Sequence, residues 1–431
     1  MEAGAGGARR VVIVGGGFGG LYAARALSRA PVEITLVDRR NHHLFQPLLY
    51  QVATGILSEG EIAPPLRWVL RNQPNARVLL AEVAGFDLER RVVLARASDG
   101  EALELPYDAL VVAAGSTDSY FGHDEWAEHA PGLKSLADAR ELRNRVLRAF
   151  ELAEDAHDEA ERAALLTFVL VGAGPSGVEM AGQIAQYGNE TLRREFRSIG
   201  ADGARIVMVE GSPAVLHAFA PELGRRAARD LERLGVEIRL ETRAVALDDR
   251  GVEVEGPDGT RERIEARTVI WAAGVAASPL ARKLGEATGA EVDRAGRVSV
   301  EHDFSLPEHP EVFCIGDMAS KDDLPGVAQP AMQAGRYVAG VIEARFSGWA
   351  APGPFKYFDK GSLAVIGRRK AVADVFGIKV GGFPAWTIWG FVHVLYLVGW
   401  GNRVGTVGRW AGIILTRQRR ERVIDAVPPP P

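Results

Sequence analysis

The sequence predicts an α/β fold: two Rossmann-like dinucleotide-binding domains plus a C-terminal membrane-association region. Two observations predict the domains. VVIVGGGFGGLYAARAL at 11–27 and FVLVGAGPSGVEMAGQI at 168–184 each run from an apolar strand, through G-x-G-x-x-G, into an alanine-rich helix. The third observation concerns the C-terminal end, where no charged residue occurs from Val380 to Asn402 with His393 counted as neutral. Four of the chain's eight tryptophans, Trp386, Trp389, Trp400 and Trp410, cluster there.

Within each fingerprint the glycines have separate tasks. Gly15 and Gly172 allow the tight turn, Gly17 and Gly174 remove the side chain that would block a pyrophosphate, and Gly20 and Gly177 let helix pack on strand. Phe18 with Gly19, and Pro175 with Ser176, complete the loops, and each helix N-terminus offers free N–H groups and a positive dipole. A glycine loop alone is often only a turn. Here each is followed by a second strand ending in an acid, VEITLVD to Asp38 and RIVMVE to Glu210. Asp38 follows Gly15 at the spacing of a ribose contact, while Glu210 comes later because of an insertion around GNETLRREFRSIGADGA. A carboxylate at a strand end accepts from both ribose hydroxyls and repels a 2′-phosphate, which points to NADH over NADPH; Arg205, Arg225 and Arg226 work against that preference.

Composition agrees with a multidomain α/β enzyme: 431 residues, 47% hydrophobic, 49 glycines. One cysteine, Cys314, excludes an intramolecular disulfide and reads as a small apolar residue in the strand VFCIG. His42 and His43 have no metal-like spacing with any carboxylate or cysteine, so no metal is expected. Arg9 and Arg10 precede an apolar run too short for a signal peptide, which is therefore read as the first strand, and the PPPP terminus is read as an extended tail.

From Lys360 to Pro431 eleven basic residues face only Asp374, Glu421 and Asp425, in a chain whose net charge is −5. A cationic, tryptophan-rich end suits anionic headgroups. Gly382, Pro384, Gly390, Gly399 and Gly401 interrupt the apolar run, and VGTVGRWAGIILTRQRRER after it is amphipathic with a basic end. Helices lying in the membrane interface are thus the expected arrangement, against a spanning helix or a buried hydrophobic contact in a homodimer or in the core.

These motifs, taken together over nearly the whole chain, resemble the type II NADH dehydrogenases, the single-subunit NADH:quinone oxidoreductases. HHLFQPLLYQVATG at 42–55 is similar to the family's flavin-facing segment, VVAAGS at 111–116 and VIWAAG at 269–274 to its strand-to-loop turns, CIGDMA at 314–319 to its ribityl-binding segment, and AQPAMQ at 328–333 to its quinone-adjacent A-Q-x-x-x-Q stretch. DKGSLAVIGRRKAV and the tail match its C-terminal region; Pro330, directly after Gln329, is a departure.

The resemblance implies FAD, held by Gly15, Gly17, Phe18, Gly19, Gly20, Asp38, Arg39, Gln46, Pro47, Val83, Ala114, Gly115, Gly316, Asp317, Ala328 and Gln329. It implies NADH at Gly172, Gly174, Pro175, Ser176, Gly177, Glu179, Glu210, Ala273 and Gly274, and Glu179, Gln329 and Gln333 as catalytic residues. It further implies a quinone acceptor, no proton pumping, no nucleic-acid partner and a peripheral place on the cytoplasmic face of the membrane. Glu179 is then an acid that orients nicotinamide or delivers protons to quinone, or else one merely stabilised by the helix dipole. Gln329 and Gln333, four apart, share a helix face, and their amides suit quinone carbonyls and the flavin edge. His393 is read as a residue bonded to a neighbouring helix or headgroup, ahead of a proton donor.

The expected domains are 1–118 with 295–350 for FAD, 160–275 for NADH and 355–431 for the membrane and quinone region, with a charged helical linker, ADARELRNRVLRAFELAEDAHDEAERAAL. A disulfide reductase and a sulfide:quinone oxidoreductase both need cysteines that are absent. A soluble ferredoxin reductase does not need the basic, tryptophan-rich tail, and a nucleotide-sensing flavoprotein is separated from the enzyme by rapid quinone reduction.

Overall fold

The computed structural model describes residues 8–192, 195–199 and 203–424. The PPPP terminus, Asp425 and parts of the 188–204 insertion lie outside them. The chain forms two compact units. The first runs up to Leu44 and resumes over Ala63–Thr117 and Val275–Asp359; the second holds Phe45–Ile62, Asp118–Gly274 and the chain from Lys360 onward.

In the first unit the strand Arg9–Val14 pairs in parallel with Val32–Asp38 on one side and Ala109–Val112 on the other. His309–Cys314 and Ala76–Asp87 extend this parallel core outward. Val92–Ala97 and Ala102–Pro106 then add an antiparallel flank on one side, and Ser305–Leu306 an antiparallel edge beyond His309–Cys314, to give eight strands. Strands buried on both faces read as continuous apolar runs, and Val11 to Val14 are all buried. The helix Ala328–Ser347 lies against the fingerprint helix Phe18–Ala26 so closely that a Cβ at Gly335 would stand 2.4 Å from the Gly19 carbonyl oxygen. Cys314 is buried in its strand and burial pushes its thiol up to about 12, as suits a packing residue.

The second unit repeats the theme with four parallel strands in the order Val236–Arg239, Arg205–Val209, Thr167–Val171, Thr268–Trp271. A three-stranded antiparallel meander, Arg243–Asp248, Gly251–Glu255 and Arg261–Glu265, accompanies them. The charged linker forms two helices, Leu136–Asp155 and Glu159–Leu165. Ser135 and Asp138 make a capping box at the start of the first, and Asp158 breaks the run by capping the second through the Ala160 N–H.

Two boundaries differ from the sequence-based expectation. Residues 45–62, expected in the FAD domain, pack within the second unit, and the region from Lys360 joins that unit instead of standing alone. For the region from Lys360 the reason lies in Gly182: the strand Ser362–Gly367 passes the second fingerprint helix so tightly that a Cβ there would fall 1.7 Å from the Ile366 carbonyl oxygen. Lys370–Val375 pairs back on Ser362–Gly367 as a hairpin, and after it and the strand Ile378–Gly381 come two helices, Phe383–Tyr396 and Trp400–Thr416. Ala385, Trp389 and Thr406 face inward, whereas Phe391, Leu395, Trp400, Val404, Val407 and Leu415 are exposed. Among the described residues no helix is long and apolar enough to cross a membrane.

Candidate active site

The two glycine loops are built alike. The Gly15 N–H donates to the Val37 carbonyl and the Gly172 N–H to the Val209 carbonyl, both at 2.8 Å. Asp38 accepts from the Gly16 N–H at 2.6 Å and the Arg40 N–H at 2.7 Å; Glu210 accepts from the Ala173 N–H at 2.6 Å and the Ser212 N–H at 2.7 Å. Each carboxylate thus fixes its loop before any ligand arrives. Gly20 and Gly177 are required by packing, because a Cβ would lie 1.9 Å and 2.0 Å from the carbonyl oxygens of Gly15 and Gly172. Gly17 and Gly174 are not: a Cβ there meets nothing within 4 Å, and both have negative φ. Glycine at these two positions keeps open a space that protein does not fill, in front of a helix N-terminus, which is the fit a pyrophosphate needs.

In the first unit VVAAGS and CIGDMA come together. Ser116 Oγ donates to Asp317 at 2.8 Å, and the Ala114 N–H reaches the Met318 sulfur at 3.0 Å. Gly115 and Gly316 take positive φ, +69° and +73°, at the two turns. A cleft is lined by Ser116, Gly316, Asp317, Gly326, Pro330 and Ala331, among others. Phe18 stands edge-on to His43, Val83 is buried at a register shift in its strand, and Arg39 is exposed beyond Asp38. Ala328 and Gln329 are half-buried in the first turn of the helix Ala328–Ser347, and Pro330 sits in that same turn, where helical N–H groups have no partner and its ring disturbs nothing. Gln333 does not share the situation expected for it. Its amide donates to the Phe358 carbonyl at 2.9 Å and accepts from the Phe358 N–H at 3.0 Å, so it clamps the chain at 358.

In the second unit Pro175 and Ser176 are exposed at the helix start, and Ala273 and Gly274 turn out of the strand Thr268–Trp271 with φ +79° at the glycine. Gln46 is exposed and Pro47 half-buried on a one-turn helix, Gln46–Leu48. Glu179 is buried with Oε1 accepting the Val365 N–H at 3.3 Å, and burial pushes it up to about 8, so it is protonated at neutral pH. Tyr50 is buried too; burial and then the Glu179 charge raise it well above the usual phenol range. Gln51 donates to the Tyr50 hydroxyl at 3.0 Å and accepts from the Trp410 indole N–H at 2.7 Å. Gln51, Val365 and Trp410 also border a second cleft, lined by Gln183, Trp386, Trp389 and Arg419 among others.

Three features were not foreseen. His43, pulled down to about 4 by burial and therefore neutral, has Nδ1 2.9 Å from the Gly16 carbonyl, to which it donates; nothing in its spacing announces this. His393, also lowered to about 4 by burial, has Nδ1 2.7 Å from the Trp389 carbonyl, so its partner lies on its own helix. Arg205 pairs with Glu237 at 2.8 Å, and Arg226 lies against Gly381, so neither is committed to a 2′-phosphate.

Duplicated nucleotide loops, each with its strand-end carboxylate, define a two-dinucleotide oxidoreductase. Residues 9–335 match the family model described as pyridine nucleotide-disulphide oxidoreductase, although the one cysteine leaves no redox disulfide. The type II NADH:quinone oxidoreductase Ndh of Mycobacterium tuberculosis is 51% identical over 96% of this chain and 90% of its own length. The Staphylococcus aureus type II NADH:quinone oxidoreductase is 29% identical, over 88% and 92%. NDH2 from Plasmodium falciparum, solved in complex with NADH, has the same fold with a TM-score of 0.85 at 19% identity, over 95% of this chain and 98% of that one. The chain belongs to the type II NADH:quinone oxidoreductases.

Proposed function

We propose that the protein oxidises NADH and passes the electrons through FAD to a membrane quinone, without pumping protons. The observation that carries this reading is the pair of loops left open at Gly17 and Gly174 in a chain with no second cysteine, set beside 51% identity to an enzyme of that name. FAD, when bound, supplies the redox step between nicotinamide and quinone. The chain's own groups do the rest. Asp38 and Ser116 with Asp317 hold the flavin nucleotide, and Glu210 selects NADH by repelling a 2′-phosphate. Glu179, neutral and dry, orients the nicotinamide as a hydrogen-bond donor. Gln329 serves the quinone side, with Gln333, one turn along the same helix, fixing the chain at Phe358.

The outward residues of the last two helices, from Phe391 to Leu415, form an apolar surface on an otherwise cationic region, suited to the cytoplasmic leaflet. The test is purification in detergent, a flavin spectrum, and NADH oxidation with and without a short-chain quinone. Flavin-dependent oxidation that requires quinone is the expected result; slow oxidation unaffected by quinone would overturn the reading. Replacing Phe391, Leu395, Trp400 and Leu415 by serine should release the FAD-loaded protein from vesicles, and retention by the vesicles would contradict the membrane assignment.

A further inference from the structure

The chain after the last helix makes an unusual connection inside the second unit. Arg417, with φ +59°, ends the helix Trp400–Thr416 in the left-handed region and turns the chain back. Arg419 then enters the interior with only 5% of its surface exposed. One guanidinium nitrogen donates to the Thr54 carbonyl at 2.7 Å; the other donates to the carbonyl and the side-chain oxygen of Gln183, both at 3.1 Å. The guanidinium lies 4.5 Å from the centre of the Tyr187 ring. Among the described residues no carboxylate pairs with it, and burial lowers it to about 10, so it stays charged at neutral pH. A buried cation hydrogen-bonded only to neutral groups, with the Glu190 charge acting on it from beyond pairing distance, is costly, and its geometry shows where that cost is spent.

Thr54 lies one turn past Tyr50, and its hydroxyl donates to the Tyr50 carbonyl at 2.8 Å. Gln183 lies one turn past Glu179 on the same helix face. The fork of Arg419 therefore grips two helices at matching distances beyond their buried titratable groups. The strap around it is tied down as well. A Cβ at Gly55 would stand 2.7 Å from the Glu421 carbonyl oxygen, and Arg409 pairs with Glu61 at 3.0 Å and with Glu421 at 2.7 Å.

We propose that Arg419 is a positioning residue: by bridging the helices Leu49–Ala53 and Pro175–Gln186 it holds the Tyr50 and Glu179 surroundings closed and keeps Glu179 out of water. This deepens the functional reading above, on which Glu179 serves the nicotinamide site. Tyr50 faces Glu179 from the first of these helices. Tyr187 and Glu190 lie farther along the second, and Arg368, at the hairpin turn, is paired with Glu190 at 2.8 Å. None of them contributes to the raised position of Glu179, which comes from burial alone against the one Val365 N–H.

Position and charge predict opposite signs. If Arg419 acted on Glu179 through its charge, removing that charge would raise the acid further. If it acts by closure, losing the fork admits water and lets the acid fall toward its ordinary range. Infrared titration of the protonated carboxyl, assigned by its loss in Glu179→Gln, reads this in FAD-loaded protein without any turnover. Arg419→Lys keeps the charge but not the fork, and Arg419→Met keeps neither. Both should lower the midpoint by about one unit or more. A midpoint unchanged or raised in both would overturn the proposal. Gln183→Leu, which removes one of three acceptors, should shift it in the same direction by less, and serves if the arginine variants do not retain FAD; no shift there would likewise overturn it. NADH oxidation assayed in parallel keeps a failure of the functional reading distinct.

Discussion

At the first glycine loop the Gly16 peptide is gripped on both sides, its N–H by Asp38 and its carbonyl by the buried, neutral His43. At the second, the Ala173 N–H is held by Glu210 and its carbonyl by the backbone N–H of Leu216 at 2.9 Å. The backbones coincide, with φ +101° at Gly15 and +107° at Gly172, but the surroundings diverge. The first helix is roofed by another helix through Gly335, and its Tyr22, two positions past Gly20, carries the Arg336 guanidinium 4.8 Å above its ring. The second begins with exposed Pro175 and Ser176 and, two positions past Gly177, buries Glu179. A loop locked by a side chain and roofed over suits a cofactor that stays. An open loop beside a titratable group suits one that binds, reacts and leaves.

The largest test of this difference is the helix-packing glycine of each loop. Gly20→Ala forces a Cβ onto the Gly15 carbonyl oxygen, and we expect protein purified without FAD. Gly177→Ala makes the same clash with Gly172, yet should keep its flavin spectrum while kcat/KM for NADH falls about a hundredfold, or about 2.7 kcal/mol. Equal loss of FAD in both would erase the distinction.

Next in size is the acid that only the second loop carries. Glu179 binds its proton more tightly folded, at about 8, than unfolded, near 4.5. Between those values the native state holds more protons, so stability falls as pH rises through that window and levels off above it, by about 5 kcal/mol in all. Glu179→Gln should flatten this slope, leaving the variant the more stable protein at pH 9 in urea unfolding. Parallel curves for the two proteins would mean that the carboxyl is already ionised at neutral pH.

The smallest effect concerns the strand-end acids. NADH should be preferred over NADPH at least tenfold in kcat/KM, about 1.4 kcal/mol, and Glu210→Ala should narrow the gap. Asp38→Ala should lower FAD retention and leave the nucleotide preference untouched. A preference that moves with Asp38 would reverse the assignment of the two loops.

Both loops, their acids and the apolar strands feeding them were legible because each is a local pattern, a strand, turn and helix written in some thirty consecutive residues. What escaped depends on partners distant in sequence. Nothing near Gln333 says that its amide meets Phe358, and nothing near residue 45 says that the chain leaves one unit for the other until residue 62. The helix break at 156–158 was readable in principle, since Asp158 is a capping residue, but the surrounding alanine and glutamate run masked it. Arg419 sits in TRQRRER, which reads as a solvated basic end, and only the left-handed turn at Arg417 sends one of those arginines inward.

Electrons enter from NADH and leave to quinone, and stopped-flow absorbance of the flavin measures both halves. The FAD-loaded protein should bleach on mixing with NADH and, in a second mix, recover its absorbance with a short-chain quinone, each step at least as fast as steady-state turnover. Gln329→Leu should slow the recovery by roughly 5- to 150-fold, the loss of one polar contact of about 1 to 3 kcal/mol, and leave the bleaching unchanged. Bleaching by NADH without recovery in quinone, or a Gln329→Leu protein slowed only in bleaching, would contradict the quinone as acceptor.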